Sequence, residues 1–339
     1  MSETPARYWV GFDLGGTKMM AVVVDDAGKP IARKRRKTKA QEGAEPGLDR
    51  VVRTIREALE EAHVDRSQLA GVGIGVPGPL DPERGIVFDL PNLGWHNVPV
   101  AEALRGELGC PVVAANDVDA GTYGEYVLGA AVGARSVLGV FPGTGIGGGF
   151  VYDGQIFRGR HVSCMEIGHI RVLPDGPLCG CGRRGCLEAV ASRLAIAAQA
   201  ASAAYRGEAP RLLAAAGTSL ENLRSGTLAE AIGAGDRVVR DLVVNAARWL
   251  GVAIGTLVNV LAPDVVVLGG GLVEAMPDLI VREAEAAARA QAMPAFSDTF
   301  RVVPAALGDD ATALGAAAWA RRAPAAPRRG ESGTSLVVD

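Results

Sequence analysis

Short apolar runs alternate with glycine-rich or polar turns along the first part of the chain, a pattern typical of β-strands joined by hairpins and loops. The runs before and after Leu14-Gly15-Gly16-Thr17-Lys18 predict a hairpin. Val51, Ile55 and Leu59 recur at the spacing of one helical face. The predicted elements are strands at 8–13, 19–25 and 30–38, a helix at 47–63, a strand at 71–76, an irregular loop at 90–95, a helix at 100–108 and a strand at 111–115.

The pattern of the first hairpin returns later in the chain. A strand at 136–141, a glycine-rich turn at 142–149 and a strand at 150–152 follow a predicted helix at 118–128. This repeat predicts an α/β protein built from two related, duplicated domains that face each other. The remaining predicted elements are helices at 192–205, 228–232 and 237–261, a strand at 265–268, a helix at 278–291, a strand at 300–304 and a helix at 311–321.

A cysteine-rich loop between residues 166 and 188 is the strongest chemical signal. Cys179, Cys181 and Cys186 follow the spacing Cys-x-Cys-x4-Cys, and His169 lies ten residues before the first of them. Zn²⁺ prefers four tetrahedral nitrogen and sulfur ligands, and a closed Cys3His set is typical of a structural ion. The alternatives are three unrelated surface thiols, or one disulfide and one free thiol. We favour structural zinc.

Two glutamates, Glu166 and Glu188, bracket this loop. A bound ion would hold both carboxylates and the His169 imidazole rigidly. Such a polar rim suits a polyhydroxylated ligand. The alternative for each glutamate alone is a solvated surface charge.

Two glycine-rich turns at matching places in the repeat are predicted to bind phosphate. The second, Gly143-Thr144-Gly145-Ile146-Gly147-Gly148-Gly149, formally fits the dinucleotide pattern through Gly143, Gly145 and Gly148, but a strand follows it rather than a helix. Neither turn fits the P-loop pattern. Bare backbone N–H groups in such hairpins can still converge on phosphate oxygens. Asp13, before the first turn, would reach phosphate-bound Mg²⁺ directly or through water.

Asp117 directly follows a predicted strand, where an open α/β sheet presents its ligand-binding edge. Phosphoryl transfer needs one acid to orient and deprotonate the attacking hydroxyl, and Asp117 is the candidate base. The alternative is an N-cap for the helix that begins nearby, a role that aspartate fills well. The sequence leaves these two roles open.

Composition and charge narrow the class of protein. A chain of 339 residues that is 48% hydrophobic is expected to form two domains. The net charge is −3, so the basic run at 33–39 is interpreted as a solvated strand face rather than a nucleic-acid patch. The longest apolar run, 249–261, is shorter than the roughly 18 residues of a membrane span. With no signal-like segment before Tyr8, we expect a cytoplasmic protein without membrane or nucleic-acid partners.

Over about residues 8–322 the chain resembles the ROK family of kinases and sugar-responsive repressors. The two segments around the cysteine-rich loop are the most specific. The resemblance rests on Asp13-Leu-Gly-Gly-Thr-Lys18, Pro91-Asn92-Leu-Gly-Trp95, Asn116-Asp117, Gly143-Thr-Gly-Ile-Gly-Gly-Gly149, Glu166-Ile-Gly-His169 and Cys179-Gly-Cys-Gly-Arg-Arg-Gly-Cys-Leu-Glu188.

The resemblance implies an actin-like sugar-kinase fold with two ribonuclease-H-like domains closing over a cleft. We assign 1–115 with 309–322 to a small domain, 116–308 to a large domain, and 323–339 to a disordered tail. By this likeness Asp117 is the base, and the hexose is surrounded by Gly78, Asn92, Asn116, Asp117, Glu166, His169 and Glu188. The nucleotide would meet the two turns and Gly269, Gly270 and Gly271.

The implied activity is ATP-dependent phosphorylation of glucose at its 6-hydroxyl, with Mg²⁺ and structural Zn²⁺, in a homodimer. Alternatives are another hexose (N-acetylmannosamine, N-acetylglucosamine, fructose or allose) or, more remotely, a sugar-responsive regulator. Such regulators carry a DNA-binding domain before the first strand, where only seven residues precede Tyr8. Cys164 and Met165 replace the small residues usual before Glu166, and we expect them to alter the sugar pocket. Asp119 replaces a frequent asparagine.

Overall fold

Two five-stranded sheets with the same connectivity form the framework of this computed structural model, which describes residues 6–90 and 92–322. The predicted tail at 323–339 lies outside the described residues. The strands of the first half are β1 (Tyr8–Leu14), β2 (Lys18–Val24), β3 (Pro30–Lys37), β4 (Leu69–Val76), β5 (Leu80–Asp81), β6 (Ile86–Leu90), β7 (Trp95–Val98) and β8 (Val112–Asn116). Those of the second half are β9 (Ser136–Pro142), β10 (Ile146–Tyr152), β11 (Gln155–Ile156), β12 (Val265–Leu268) and β13 (Arg301–Pro304).

The repeat seen in the sequence is a repeat of sheet topology. The first sheet has the order β3-β2-β1-β4-β8, and the second has the order β11-β10-β9-β12-β13. In each sheet the first three strands are antiparallel and the last two run parallel to the central one. Both central strands therefore enter a glycine-rich turn at the end where the parallel strands also finish.

Helices cover these sheets. The long helices have an apolar face that enters the hydrophobic core, as the predicted face of the first one does at Val51, Ile55 and Leu59. Their bounds are α1 (Ala44–Glu61), α2 (Val100–Leu108), α3 (Asp117–Leu128), α4 (Leu187–Ala191), α5 (Arg193–Tyr205), α6 (Pro210–Ala216), α7 (Ser225–Gly233), α8 (Arg237–Leu261), α9 (Gly271–Ala275), α10 (Pro277–Gln291) and α11 (Ala311–Arg322).

Helix α8 is long and apolar enough to cross a membrane by composition alone, but 56% of its most apolar window is buried in the protein. Its residues Val243, Leu250 and Ile254 belong to the core of the second half. The structure thus agrees with the prediction of a buried helix at this position.

Helix α11 packs directly on the first sheet through two glycines. A Cβ atom at Gly11 would lie 1.7 Å from the carbonyl oxygen of Ala313, and one at Gly73 would lie 1.9 Å from that of Ala316. Only glycine therefore permits this distance between helix and strand. The close packing places α11, which follows the second half in sequence, against the first half.

The loop predicted at 90–95 is the connection between β6 and β7, with residues 92–94 in a turn and only its two end residues in strands. Strand β6 pairs with β5 on one side and with β7 on the other, in a separate three-stranded sheet. The second glycine-rich turn is shorter than predicted. It ends at Gly145, and the following glycines at 147–149 lie within β10.

Candidate active site

Two aspartates, Asp13 and Asp117, line one cavity of about 330 Å³. Asp13 is near the end of β1, and Asp117 directly follows β8. The parallel strands of a sheet finish at the same edge, so both carboxylates reach the same opening. Gly270, Gly271 and Thr312 contribute to the wall of this cavity. The cavity is thus lined by the candidate base Asp117, by the candidate magnesium ligand Asp13, and by two of the glycines predicted to lie under the adenine.

Asn116, rather than Asp117, caps α3. The side-chain oxygen of Asn116 accepts hydrogen bonds from the backbone N–H groups of Val118 at 2.9 Å and Asp119 at 3.2 Å. Asp117 is the first residue of the helix, and its Oδ1 accepts from the Val118 N–H at 2.9 Å. The N-cap alternative for Asp117 is therefore wrong, and its carboxylate is held at the cavity wall.

The Asp117 carboxyl has the electrostatic setting of a base. Burial raises its pKa from 3.8 to about 6, the hydrogen bond from Val118 opposes this shift, and the nearby Glu166 carboxylate adds to it. A pKa of this size leaves the group ionised at neutral pH and still basic enough to accept a proton.

The Asp13 carboxyl is shifted further. Burial raises its pKa to about 7, the charge of Asp117 adds to the shift, and the Lys18 ammonium opposes it. Two partly buried carboxylates that repel each other are stabilised by a cation beside them. The donor set therefore fits Mg²⁺, which binds few protein carboxylates and keeps several waters.

The first glycine-rich turn is fixed by Thr38. Its hydroxyl donates to the Gly15 carbonyl at 2.6 Å, and its N–H donates to the Thr17 carbonyl at 2.9 Å. Gly16 has open space around it. Lys18 forms an ion pair with Asp309 at 2.8 Å. The turn is thus tied to Thr38, and the Lys18 charge next to it is balanced by Asp309.

The second turn is held by contacts that the sequence did not reveal. Arg193 donates from its backbone N–H to the Gly143 carbonyl at 2.9 Å and from Nη2 to the Thr144 hydroxyl at 2.8 Å. Gly147, predicted as part of the turn, lies in β10, where a Cβ would meet Val118 at 2.5 Å. Gly143, Thr144 and Gly145 form the turn, and the Gly143 N–H donates to the Gly145 carbonyl at 2.8 Å. The backbone N–H groups of Thr144 and Gly145 are therefore the candidates for a phosphate contact.

The three glycines at 269–271 lie in two different surroundings. Gly270 and Gly271 line the cavity, and Gly270 adopts a φ of +81°, which favours glycine. Gly269 faces inward instead, where a Cβ would lie 2.5 Å from the ring of Phe141. Its small size serves the packing behind the cavity wall.

The four predicted metal ligands form one cluster, in which all ligand atoms lie within 4.8 Å of one another. Cys179 Sγ is 3.6 Å from His169 Nδ1, and Cys181 Sγ is 3.7 Å from Cys186 Sγ. Zn–S and Zn–N bonds of about 2.3 and 2.0 Å at tetrahedral angles give ligand separations of about 3.8 Å for S···S and about 3.6 Å for S···N. The residues therefore fit zinc, and the thiols are free rather than bridged.

Several predicted sugar-side residues lie around Asp117. Asn116 Nδ2 donates to the Gly78 carbonyl at 3.4 Å, and Glu166 is close enough to raise the pKa of Asp117. Glu188 accepts the Ile146 N–H at 3.0 Å, so it joins the metal cluster segment to the second turn. Asn92 is exposed in the turn between β6 and β7. Within the described residues, no hydrogen bond joins it to Asp117, Glu166 or Glu188.

Comparisons with known proteins place this geometry in a family. The model of the ROK family matches residues 9–323. The glucokinase of Thermotoga maritima is 36% identical over 317 residues, which are 92% of this chain and 97% of that protein. A crystal structure of a ROK family glucokinase from Streptomyces griseus, in complex with glucose and AMPPNP, has a TM-score of 0.79 at 33% identity and covers 94% of this chain and 100% of that one.

The chain belongs to the ROK family. Its fold is the actin-like sugar-kinase fold, as predicted. Repressors in this family are more distant from the chain. The DNA-binding transcriptional repressor Mlc of Escherichia coli is 28% identical over 316 residues, which are 93% of this chain and 76% of that protein.

Cys164 and Met165, which were expected to alter the sugar pocket, directly precede Glu166. The Cys164 thiol donates to the Phe157 carbonyl at 3.0 Å, and Met165 packs against the core of the second half. Met165 adopts a φ of +64°, a strained value for a residue with a side chain. Both side chains are thus engaged by the protein itself, next to Glu166 in the chain.

Proposed function

We propose that this ROK protein is an ATP-dependent glucokinase in which Asp117 is the catalytic base. The observation that carries the proposal is the half-buried Asp117 carboxylate, with a pKa raised to about 6, at the wall of a cavity that Asp13, Gly270 and Gly271 also line. The similarity to glucokinases over nearly the whole chain agrees with it.

In the reaction, the 6-hydroxyl of glucose gives its proton to Asp117, and its oxygen attacks the terminal phosphorus of ATP. The bond from that phosphorus to the bridging oxygen breaks, so ADP and glucose 6-phosphate form. Positioning and charge stabilisation supply most of the rate enhancement in such a transfer. Asp117 contributes roughly 10²- to 10⁴-fold through proton transfer.

The donor side consists of the two turns and the 269–271 segment. We assign contacts with the phosphates to the backbone of the turns and to Lys18, and contacts with adenine to Gly270 and Gly271. When bound with the nucleotide, Mg²⁺ neutralises phosphate charge, and Asp13 is the residue that would hold it. The residues assigned to the nucleotide are Asp13, Gly15, Gly16, Thr17, Lys18, Gly143, Thr144, Gly145, Gly270 and Gly271.

The sugar side is the rim between the metal cluster and β8. Zn²⁺ held by His169 and the three thiolates would fix the segment from Glu166 to Glu188, so that both carboxylates and the imidazole keep their orientation. The residues assigned to glucose are Gly78, Asn92, Asn116, Asp117, Glu166, His169 and Glu188.

The assembly and location stay predictions: a cytoplasmic homodimer without nucleic-acid or membrane partners. The ion pairs of the basic run on β3 support the absence of a nucleic-acid partner. Arg33 pairs with Asp310 at 2.9 Å, and Lys34 pairs with Glu61 at 3.3 Å. Cations already paired with carboxylates attract a phosphate backbone weakly.

The test is a phosphorylation assay with ATP over glucose, fructose, allose, N-acetylglucosamine and N-acetylmannosamine. Glucose is expected to give the highest kcat/KM. Asp117→Asn should lose at least about 10²-fold in kcat while binding glucose. The matched control is Asp236→Asn, because Asp236 is also buried but accepts N–H groups of Arg211 and Leu212 in a different part of the protein. If Asp117→Asn turned over as fast as the control, Asp117 would not be the catalytic base. A higher kcat/KM for another hexose would show that this hexose, rather than glucose, is the preferred substrate.

A further inference from the structure

Another cavity, of about 940 Å³ and here called the basic cavity, lies between the two halves of the protein. Thr17, Lys18 and Lys37 line it from the first half, and Arg193 and residues of the segment 220–226 line it from the second half. Thr17 belongs to the first glycine-rich turn. Arg193 donates from Nη2 to a hydroxyl of the second turn at 2.8 Å. One side chain of the wall is thus part of one phosphate turn, and another is bonded to the other turn.

The basic cavity adjoins the cavity that Asp117 lines at two points. Lys18, in the wall of the first, forms an ion pair at 2.8 Å with Asp309, in the wall of the second. Ser225 also lines the basic cavity, and its hydroxyl oxygen is 3.4 Å from the position of a Cβ at Gly271, which lines the other cavity. A ligand that enters the proposed nucleotide site therefore lies next to the basic cavity.

Positive charge predominates on this wall. The charged residues that line it are four cations and one carboxylate, namely Lys18, Lys37, Arg193, Arg224 and Glu221. The Asp309 carboxylate balances Lys18. Within the part of the chain that the structure describes, the other three cations form no ion pair, and Arg224 donates only to the backbone carbonyl of Glu221, at 3.3 Å.

Lys37 differs in this respect from its neighbours in the basic run at 33–39. Every other cation of the run pairs with a carboxylate: Arg33 with Asp310, Lys34 with Glu61, Arg35 with Asp309, Arg36 with Glu57 and Lys39 with Glu42. Lys37 instead lies directly opposite Lys18 in the register of β2 and β3. Like charges in directly opposite positions share one face of a sheet and destabilise it. An anion in the basic cavity would relieve this repulsion.

We propose that Lys37, Arg193 and Arg224 bind the phosphate chain of the nucleotide donor. A cleft lined by charges of one sign concentrates ligands of the opposite sign. Guanidinium groups form charge-assisted hydrogen bonds with phosphate oxygens. A chain of linked phosphates carries charge along its length, so it can contact cations from both halves at once. The inference rests on the proposed function in taking ATP as the donor.

The first test varies ATP at saturating glucose in Lys37→Gln and Arg224→Gln. Each change should raise the KM for ATP about three- to tenfold, the loss expected for one charge-assisted contact that water partly screens, and leave the KM for glucose unchanged. The matched controls remove one exposed cation each at strand ends away from the turns: Lys29→Gln before β3 and Arg301→Gln at the start of β13. Both controls should match the wild type.

Salt separates a contact between charges from damage to the fold. Ions screen exposed charges, so the difference in the KM for ATP between Lys37→Gln and the wild type should shrink as KCl rises to about 1 M. A difference that is equally large at low and high KCl would overturn the direct contact of Lys37 with phosphate.

Arg193 needs its own comparison because it also contacts the second turn. Thr144→Ala removes the hydroxyl that accepts from Arg193 and keeps the cation, whereas Arg193→Gln removes the charge. Arg193→Gln should therefore raise the KM for ATP more than Thr144→Ala does. Equal effects of the two changes would overturn the assignment of Arg193 to phosphate and leave it the task of holding the turn.

Tripolyphosphate, which has a phosphate chain but no nucleoside, probes the basic cavity without turnover. In calorimetry on the whole protein without glucose, it should bind the wild type and both controls, and ATP should displace it. Its Kd should rise about threefold or more in Lys37→Gln and Arg224→Gln.

The outcomes separate this inference from the proposed function. No binding of tripolyphosphate to the wild type, or values of Kd and of the KM for ATP that are equal in the variants and the controls, would overturn the role of the three cations and leave the glucokinase proposal intact. Weaker tripolyphosphate binding in the two variants, together with no ATP-dependent phosphorylation of any sugar by the wild type, would instead reject the proposed function and keep the phosphate site.

Discussion

Glu188 accepts a hydrogen bond from the backbone N–H of Ile146 at 3.0 Å, and so connects the metal cluster segment with the start of β10. Its other oxygen is 3.8 Å from the Cys179 sulfur. The proposed sugar side and the second phosphate turn therefore share one carboxylate. A change at Glu188 should act on both substrates.

Replacing Glu188 distinguishes these two roles. Glu188→Ala leaves the Ile146 N–H unpaired and should raise the KM for ATP about tenfold, the loss expected for one hydrogen bond to a charged acceptor. Glu188→Gln keeps an oxygen that can accept from Ile146, so its KM for ATP should stay near that of the wild type while the KM for glucose rises. Steady-state kinetics with each substrate varied in turn gives both values. Equal ATP constants in the wild type and Glu188→Ala would show that the turn does not depend on this contact.

The pH profile of turnover tests the setting of Asp117. The base must be ionised to accept the hydroxyl proton, and burial raises its pKa from 3.8 to about 6. With saturating ATP and Mg²⁺, kcat/KM for glucose should therefore fall roughly tenfold per pH unit below this value and level off above it. Asp236→Asn should show the same profile as the wild type. Constant kcat/KM down to the ordinary pKa of an aspartate would exclude Asp117 as the titrating base.

The close packing of α11 on the first sheet should affect the geometry of the candidate active site. Gly73→Ala brings a Cβ to 1.9 Å from the Ala316 carbonyl oxygen, so the helix must move away. Thr312 on that helix lines the cavity and donates to the Asp117 carbonyl at 3.1 Å. We expect a loss of about 1–3 kcal/mol in the free energy of unfolding, together with a lower kcat.

The control for this change is Gly106→Ala in α2, where a Cβ would meet nothing within 4 Å. Alanine in a helix is better than glycine by about 0.5–1 kcal/mol, so this variant should be slightly more stable and equally active. Chemical denaturation of both variants measures the difference. If Gly73→Ala matched Gly106→Ala in stability and kcat, the close helix–sheet packing would not be needed.

Elements with a strong periodic pattern were predicted closely from the sequence. The bounds of α2, α8 and β12 agree with the predicted ones. In the two helices apolar residues recur at the helical period, and β12 is a continuous apolar run that ends at a glycine. Strand β10 was predicted too short because glycines disfavour strands. In the structure those glycines make room for Val118, Thr122 and Ile167. Such close approach is a tertiary effect that local sequence does not encode.

In the candidate site, too, some features follow from local sequence and others depend on contacts between distant segments. The metal cluster follows from spacing, since ligands close in sequence can converge within one loop. Which of Asn116 and Asp117 caps α3 could not be decided locally, because both are good caps in adjacent positions. The placement of Lys37 and Arg224 at one cavity and the contact of Arg193 with Thr144 depend on segments far apart in the chain. They become visible only once the two halves are folded together.

The cysteine cluster predicts one zinc ion per chain, which elemental analysis of the purified protein can count. Cys181→Ser should reduce the zinc content severalfold and lower Tm, because the ion stabilises a segment that has little apolar core of its own. The matched control is Cys110→Ser, since Cys110 is buried on the opposite half and lies outside the cluster. It should lose stability through its core position but keep the zinc of the wild type. Glucose affinity should fall with zinc content, because Glu166 and Glu188 are carried by the same segment. Full zinc content in Cys181→Ser, or none in the wild type, would contradict the metal assignment.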